Sequence, residues 1–120
     1  MEQIIVEIQR QWPGTHFVYF QSNHEGDLID RIQGLAEEDE CTGIVLNAGG
    51  FAHTSVALRD AVEYAKEQGL TIVNTHLTNI RTREAFRHQD LLEDVCSKTI
   101  IGHGKEGYKE AVEYITHAAH

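Results

Sequence analysis

Residues Gly43 to Arg59 read GIVLNAGGFAHTSVALR, and the rest of the chain is organised around them. The apolar run Ile44-Val45-Leu46 stops at Asn47. Ala48-Gly49-Gly50 then turns the backbone, and Thr54-Ser55 opens the periodic stretch Val56, Ala57, Leu58, Ala61, Val62. The pattern is a buried strand, a glycine turn and a capped helix. The two glycines permit positive φ and let a ligand approach the backbone, and the helix start offers unpaired N–H groups that favour an anion. A small anionic molecule suits this corner. Asn47, with an amide that donates and accepts, and His53, a proton carrier near neutral pH, lie beside it.

Outward from this stretch the pattern repeats. Ile4, Ile5, Ile8 and Trp12 recur at helical spacing until Pro13-Gly14. Thr15 to Gln21, aromatic and β-branched, predicts a strand, followed by the polar loop Ser22 to Gly26 with Asp27 placed to cap a helix carrying Leu28, Ile29, Ile32 and Leu35. Glu37-Glu38-Asp39-Glu40 is a solvated acidic connection. After the central helix, which stops at Gly69, Leu70 to His76 predicts another strand and Ile80 to His88 a polar loop. Leu91, Leu92 and Val95 predict a short helix, Thr99 to Ile101 a last strand, and Tyr108, Ala111, Val112 and Ile115 a C-terminal amphipathic helix.

Alternating helices and strands over 120 residues predict one α/β domain, residues 1–120, with a mostly parallel sheet. Ligands of such sheets sit beyond the C-terminal strand ends. There the chain places Asn23 and Glu25, then Asn47 and His53, then His76, Thr78 and Asn79. A formal charge of −9 would repel nucleic acid and anionic lipid, and no apolar run is long enough to span a membrane. Arg81, Arg83 and Arg87 either form a local positive pocket for a carboxylate or are solvated surface charges. Cys41 and Cys96 stand far apart, without a second pair at metal-ligand spacing, and read as reduced structural thiols in a cytoplasmic protein.

Three stretches together resemble type II 3-dehydroquinase, the 3-dehydroquinate dehydratase of the shikimate pathway: Phe20 to Gly26, Gly43 to Asp60, and His76 to His88 with its Arg-Glu-x-Phe-Arg-His end. The resemblance implies a flavodoxin-like three-layer α/β sandwich. It also implies anti elimination of water from 3-dehydroquinate through an enolate, with no metal or organic cofactor, by trimers associating into a homododecamer. Carried over by position, His76 resembles the general acid, and Asn47, His53 and Arg87 ligands of the substrate hydroxyls. Leu77 and Thr78 resemble the carboxylate grip, and Asp60 a carboxylate reaching a neighbouring subunit.

Members of that family begin with a central strand, an Asn-Gly-Pro-Asn-type loop and a lid bearing an essential Arg and the Tyr that acts as base. These 120 residues contain none of them, so the base is unassigned. Asn74 replaces the usual Glu that supports the histidine, which predicts a lowered histidine pKa. The resemblance therefore predicts either a dehydratase or a catalytically impaired relative that binds a small carboxylate or serves as an assembly subunit.

Overall fold

A computed structural model describes residues 2–118. Helix α1 (Glu2–Gln11) buries Ile4 and Ile8, one helical turn apart, and ends before the Pro13-Gly14 turn. Helix α2 (Glu25–Ala36) lies against helix α3 (Val56–Glu67), whose Leu58, Ala61, Val62 and Ala65 form one buried stripe. Ser55 caps α3, its Oγ accepting from the Leu58 N–H at 2.9 Å. Helix α4 (Glu106–Ala118) turns Gly107, Ala111, Val112 and Ile115 inward.

Between the helices lie three parallel strands in the order β1 (Gly43–Leu46), β2 (Thr71–His76), β3 (Lys98–Ile101). Gly43 pairs with Thr71 and Leu46 with Asn74; on the other side Val73 pairs with Lys98 and His76 with Ile101. Side chains alternate between the faces. Leu46 and Ile72 join the core under α2 and α3, while Val73 and Ile100 pack with Ala111 and Ile115 of α4. Val45 touches both that cluster and the one that α1 makes with Val112. The result is the expected three-layer α/β arrangement.

Three local expectations are corrected. Thr15 to Gln21 is extended but belongs to no sheet; Phe17 is tucked against the α1 side of the core while Val18, Tyr19 and Phe20 are exposed. Strand-forming residues make a strand only where another strand pairs with them. In a 2-1-3-4-5 order this segment would pair with the first strand, and none of the described residues supplies one. Asp27 does not cap α2: the helix already starts at Glu25, and Asp27 instead accepts from Ser22 Oγ at 2.8 Å. Residues 91–95 form turns rather than a helix, because the segment is pinned at both ends, Leu91 N–H donating to Ala52 O and Ser97 N–H to Ile72 O, each at 2.8 Å.

The close approach of α4 to β1 depends on Gly43, where an added Cβ would lie 2.6 Å from Ile115 Cγ2 and 2.7 Å from the Thr71 carbonyl oxygen. Gly43→Ala is expected to destabilise the fold by about 1–3 kcal/mol, measured as a lowered midpoint of chemical denaturation. An unchanged midpoint would contradict this packing.

Candidate active site

The site is built from the C-terminal ends of β1 and β2. After Leu46 the chain reverses through Asn47 and a 3-10 turn, Gly49–His53, made possible by Gly49 at φ +57. Gly50 does not use positive φ. Asn47 Oδ1 accepts from the Gly49 N–H at 3.1 Å, and its Nδ2 donates to the Tyr108 hydroxyl at 2.9 Å. The turn buries Ala52 completely and leaves His53 half-buried. His53 Nδ1 donates to the Gln89 carbonyl at 2.7 Å, so its Nε2 remains for a ligand.

His76 closes β2. Its ring stacks on that of His53, with centroids 6.0 Å apart and planes inclined by 23°. Leu77 and Thr78 follow as exposed residues in a bend held by backbone bonds of 3.0 Å from Gly102 N–H to His76 O and from Gly104 N–H to Leu77 O. The glycine turn, the two imidazoles and this bend therefore share one end of the sheet.

Beneath His76 lies a residue that sequence reasoning missed. Asp90 Oδ2 is 2.7 Å from His76 Nε2 and 2.7 Å from Asn74 Nδ2, while Oδ1 accepts from the Leu92 N–H at 3.0 Å. The Asp90 side chain is 0% exposed and that of His76 5%. Burial alone would raise the Asp90 pKa, but the bonds from His76, the Leu92 N–H and Asn74 outweigh it and hold the carboxyl below its ordinary range. The expectation that Asn74 leaves the histidine without a carboxylate is corrected: Asp90 provides one from the following loop. No spacing rule links Asp90 to His76; the only signal was an acidic residue just before the apolar Leu91 and Leu92.

Arg87 lies in a 3-10 turn, Ala85–Arg87, that packs against the Gly49–His53 turn. Its Nε donates to Glu84 at 2.8 Å and its guanidinium sits over the Phe86 ring. Arg81 is paired with Glu93 at 3.1 Å. Two of the three clustered arginines are thus paired locally with carboxylates. Asp60 stands exposed on α3, next to Arg59, which holds Asp94 and the Leu91 carbonyl. Tyr108, expected only as a helix residue, reaches the site through Asn47. Cys96 is buried beside this cluster, and its thiol is pushed up to about 12 by burial and then by the Asp90 charge. Among the described residues no group of three or more His, Cys, Asp or Glu is placed to hold a metal ion, and no helix is long and apolar enough to cross a membrane.

Helices on both faces of a parallel sheet, with polar side chains collected beyond its C-terminal edge, define a flavodoxin-like α/β protein, a class whose ligands bind beyond that edge. The class II dehydroquinase model matches residues 1–116, and the chain belongs to that family. It is 50% identical over 97 residues to 3-dehydroquinate dehydratase of Bacillus subtilis (strain 168), covering 81% of this chain and 62% of that one. The corresponding protein of Bacillus pumilus (strain SAFR-032) is 46% identical over 97 residues, covering 81% and 63%. The chain thus spans under two thirds of the length of these curated relatives. Among solved structures it is similar to type II dehydroquinase from Butyrivibrio crossotus, with a TM-score of 0.88 and 33% identity over 96% of this chain and 79% of that one.

Asp90 also predicts an acid limb. Its folded-state pKa is depressed, so its stabilising contribution is complete above the unfolded value of about 4 and is lost as pH falls through the folded value. Unfolding free energy measured from about pH 6 down to about pH 2 is expected to fall more steeply for the parent than for Asp90→Asn. Equal slopes would contradict the buried ionised carboxylate.

Proposed function

We propose that the chain is a 3-dehydroquinate dehydratase, a hydro-lyase that converts 3-dehydroquinate to 3-dehydroshikimate by anti elimination through an enolate. The observation that carries this reading is the carboxylate-backed His76 stacked against His53 beside the glycine turn, in a member of the class II dehydroquinase family.

His76 acts as general acid. As the enolate collapses, an oxygen lone pair restores the carbonyl and the enolate C=C pair shifts to form the new ring double bond; the C–O bond breaks, the departing hydroxyl keeps that bonding pair, takes a proton from the imidazolium and leaves as water. Asn47 and His53 hold substrate hydroxyls, and the Leu77 backbone with the Thr78 hydroxyl grips the carboxylate. Arg87 binds ring hydroxyls and must share or release Glu84 to do so. The base that creates the enolate is left unassigned. We further propose that residues 1–120 act as one cytoplasmic domain, that subunits assemble as trimers and a dodecamer with Asp60 facing a neighbour, and that the reaction needs no metal or organic cofactor. A chain of net charge −9 is not proposed to bind nucleic acid or membranes. The 46–50% identity to dehydratases favours catalysis over an impaired binding relative.

The test mixes purified chain with 3-dehydroquinate and follows the ultraviolet absorbance of the conjugated enone product. Turnover is expected; His76→Ala is expected to lower kcat by about 10²- to 10⁴-fold, and Arg87→Ala chiefly to raise KM. No turnover by the parent would contradict the dehydratase reading, and a parent-like His76→Ala rate the assignment of the acid.

A further inference from the structure

An imidazole has two nitrogens, and which of them faces a substrate is set by what holds the other. In His76 the choice is made from below. The Asp90 side chain lies out of solvent and accepts from the Leu92 N–H and from Asn74 Nδ2. Both donors favour the ionised carboxylate, which can only accept, so the His76 nitrogen 2.7 Å away must carry a proton. That nitrogen is Nε2. No described group bonds to Nδ1, the other side of the ring.

Asn74 gives an independent sign of how strongly this carboxylate dictates its surroundings. The Asn74 side chain is fully buried, and its Oδ1 has no hydrogen-bond partner among the described residues. Turning the amide over would aim oxygen at the carboxylate instead of Nδ2. The orientation therefore satisfies Asp90 at the expense of an orphaned acceptor. The other titratable groups nearby are His53 across the stack, whose Nδ1 is committed to the Gln89 carbonyl, and Cys96, which burial and the Asp90 charge keep as a neutral thiol. Beyond the loop, Arg59 and Asp94 are paired with each other.

We infer that Asp90 is the positioning residue of the site: it commits Nε2 of His76 to the protein interior, so that the proton given to the departing hydroxyl comes from Nδ1. The inference rests on the proposed dehydratase reading for the role of that proton, but not for the tautomer. After transfer from the imidazolium, Nδ1 is left with its lone pair and Nε2 keeps its hydrogen on Asp90, so the neutral ring is already the tautomer that can be reprotonated at Nδ1. Asp90 does not touch the substrate in this scheme; it acts through His76. The carboxylate that the family draws from the strand comes here from a loop 14 residues after the histidine.

The experiment is long-range ¹H–¹⁵N correlation NMR of the histidine rings in the whole chain across a pH titration, with His76 assigned by the signal lost in His76→Gln. Above its titration midpoint, the parent's His76 is expected to show a protonated Nε2 and a pyridine-like Nδ1; the opposite tautomer would overturn the inference. In Asp90→Asn the neutral His76 ring is expected to show a larger share of the Nδ1–H tautomer, and an unchanged tautomer in a folded variant would also overturn it. Should Asp90→Asn fail to fold, the parent spectrum decides alone. Absent turnover with the Nε2–H tautomer would count against the proposed function only, whereas turnover with the Nδ1–H tautomer would count against this inference only.

Discussion

A carboxylate with no exposed surface is the constraint on which the rest of this end of the molecule depends. Left alone in the interior, Asp90 would be driven to its neutral form. It is held ionised by three donors from different places: a ring nitrogen at the end of β2, an amide in the middle of β2, and a backbone N–H of its own loop. Those bonds fasten residues 88–92 to the centre of the sheet. Once that loop is fastened, the Gln89 carbonyl meets His53, and the Leu91 N–H meets the Ala52 carbonyl of the glycine turn. The stacking of the two imidazoles thus follows from a charge that neither of them carries.

The parallel sheet makes this possible by register. Asn74 and His76 are two residues apart on β2 and so project from the same face, the one that also carries Ile72 into the core beneath α2 and α3. The opposite face takes Val73 to α4, and Thr75 spends its hydroxyl on the Leu46 carbonyl at 3.0 Å. Polar residues are thereby admitted to the centre of a sheet without leaving many donors or acceptors unpaired, Asn74 Oδ1 being the exception among the described residues. Around the rim, Arg59 with Asp94 and Arg81 with Glu93 tie the long connection down, and such exposed pairs guide the loop more than they stabilise it.

Much of the frame was legible from periodicity alone. The run Ile44 to Leu46, the glycine turn and the stripe from Leu58 to Ala65 each agree with local propensity, so the expected strand, turn and helix form there. Thr15 to Gln21 has the propensity of a strand but depends on a partner that periodicity within the segment does not reveal. His53 and His76 were legible as candidates because one follows the end of a strand and the other closes one. Asp90 was not, because it belongs to a segment without helical or strand period, and only the pinning of that segment at residues 91 and 97 brings it under His76. The partners of the arginines were not legible for a related reason: a cluster in sequence says nothing of the carboxylates, Glu84 and Glu93, that fold back onto it.

The central claim is that one binding corner exists where the glycine turn, the two stacked imidazoles and the Leu77-Thr78 bend meet. The most direct test is an amide chemical-shift titration of the folded chain with quinate, a stable cyclic polyhydroxy carboxylate. Saturable shifts concentrated in residues 47–53, 76–79 and 102–104 are expected. Shifts concentrated instead around the acidic connection at residues 37–42, or saturable shifts in none of these places, would contradict the account.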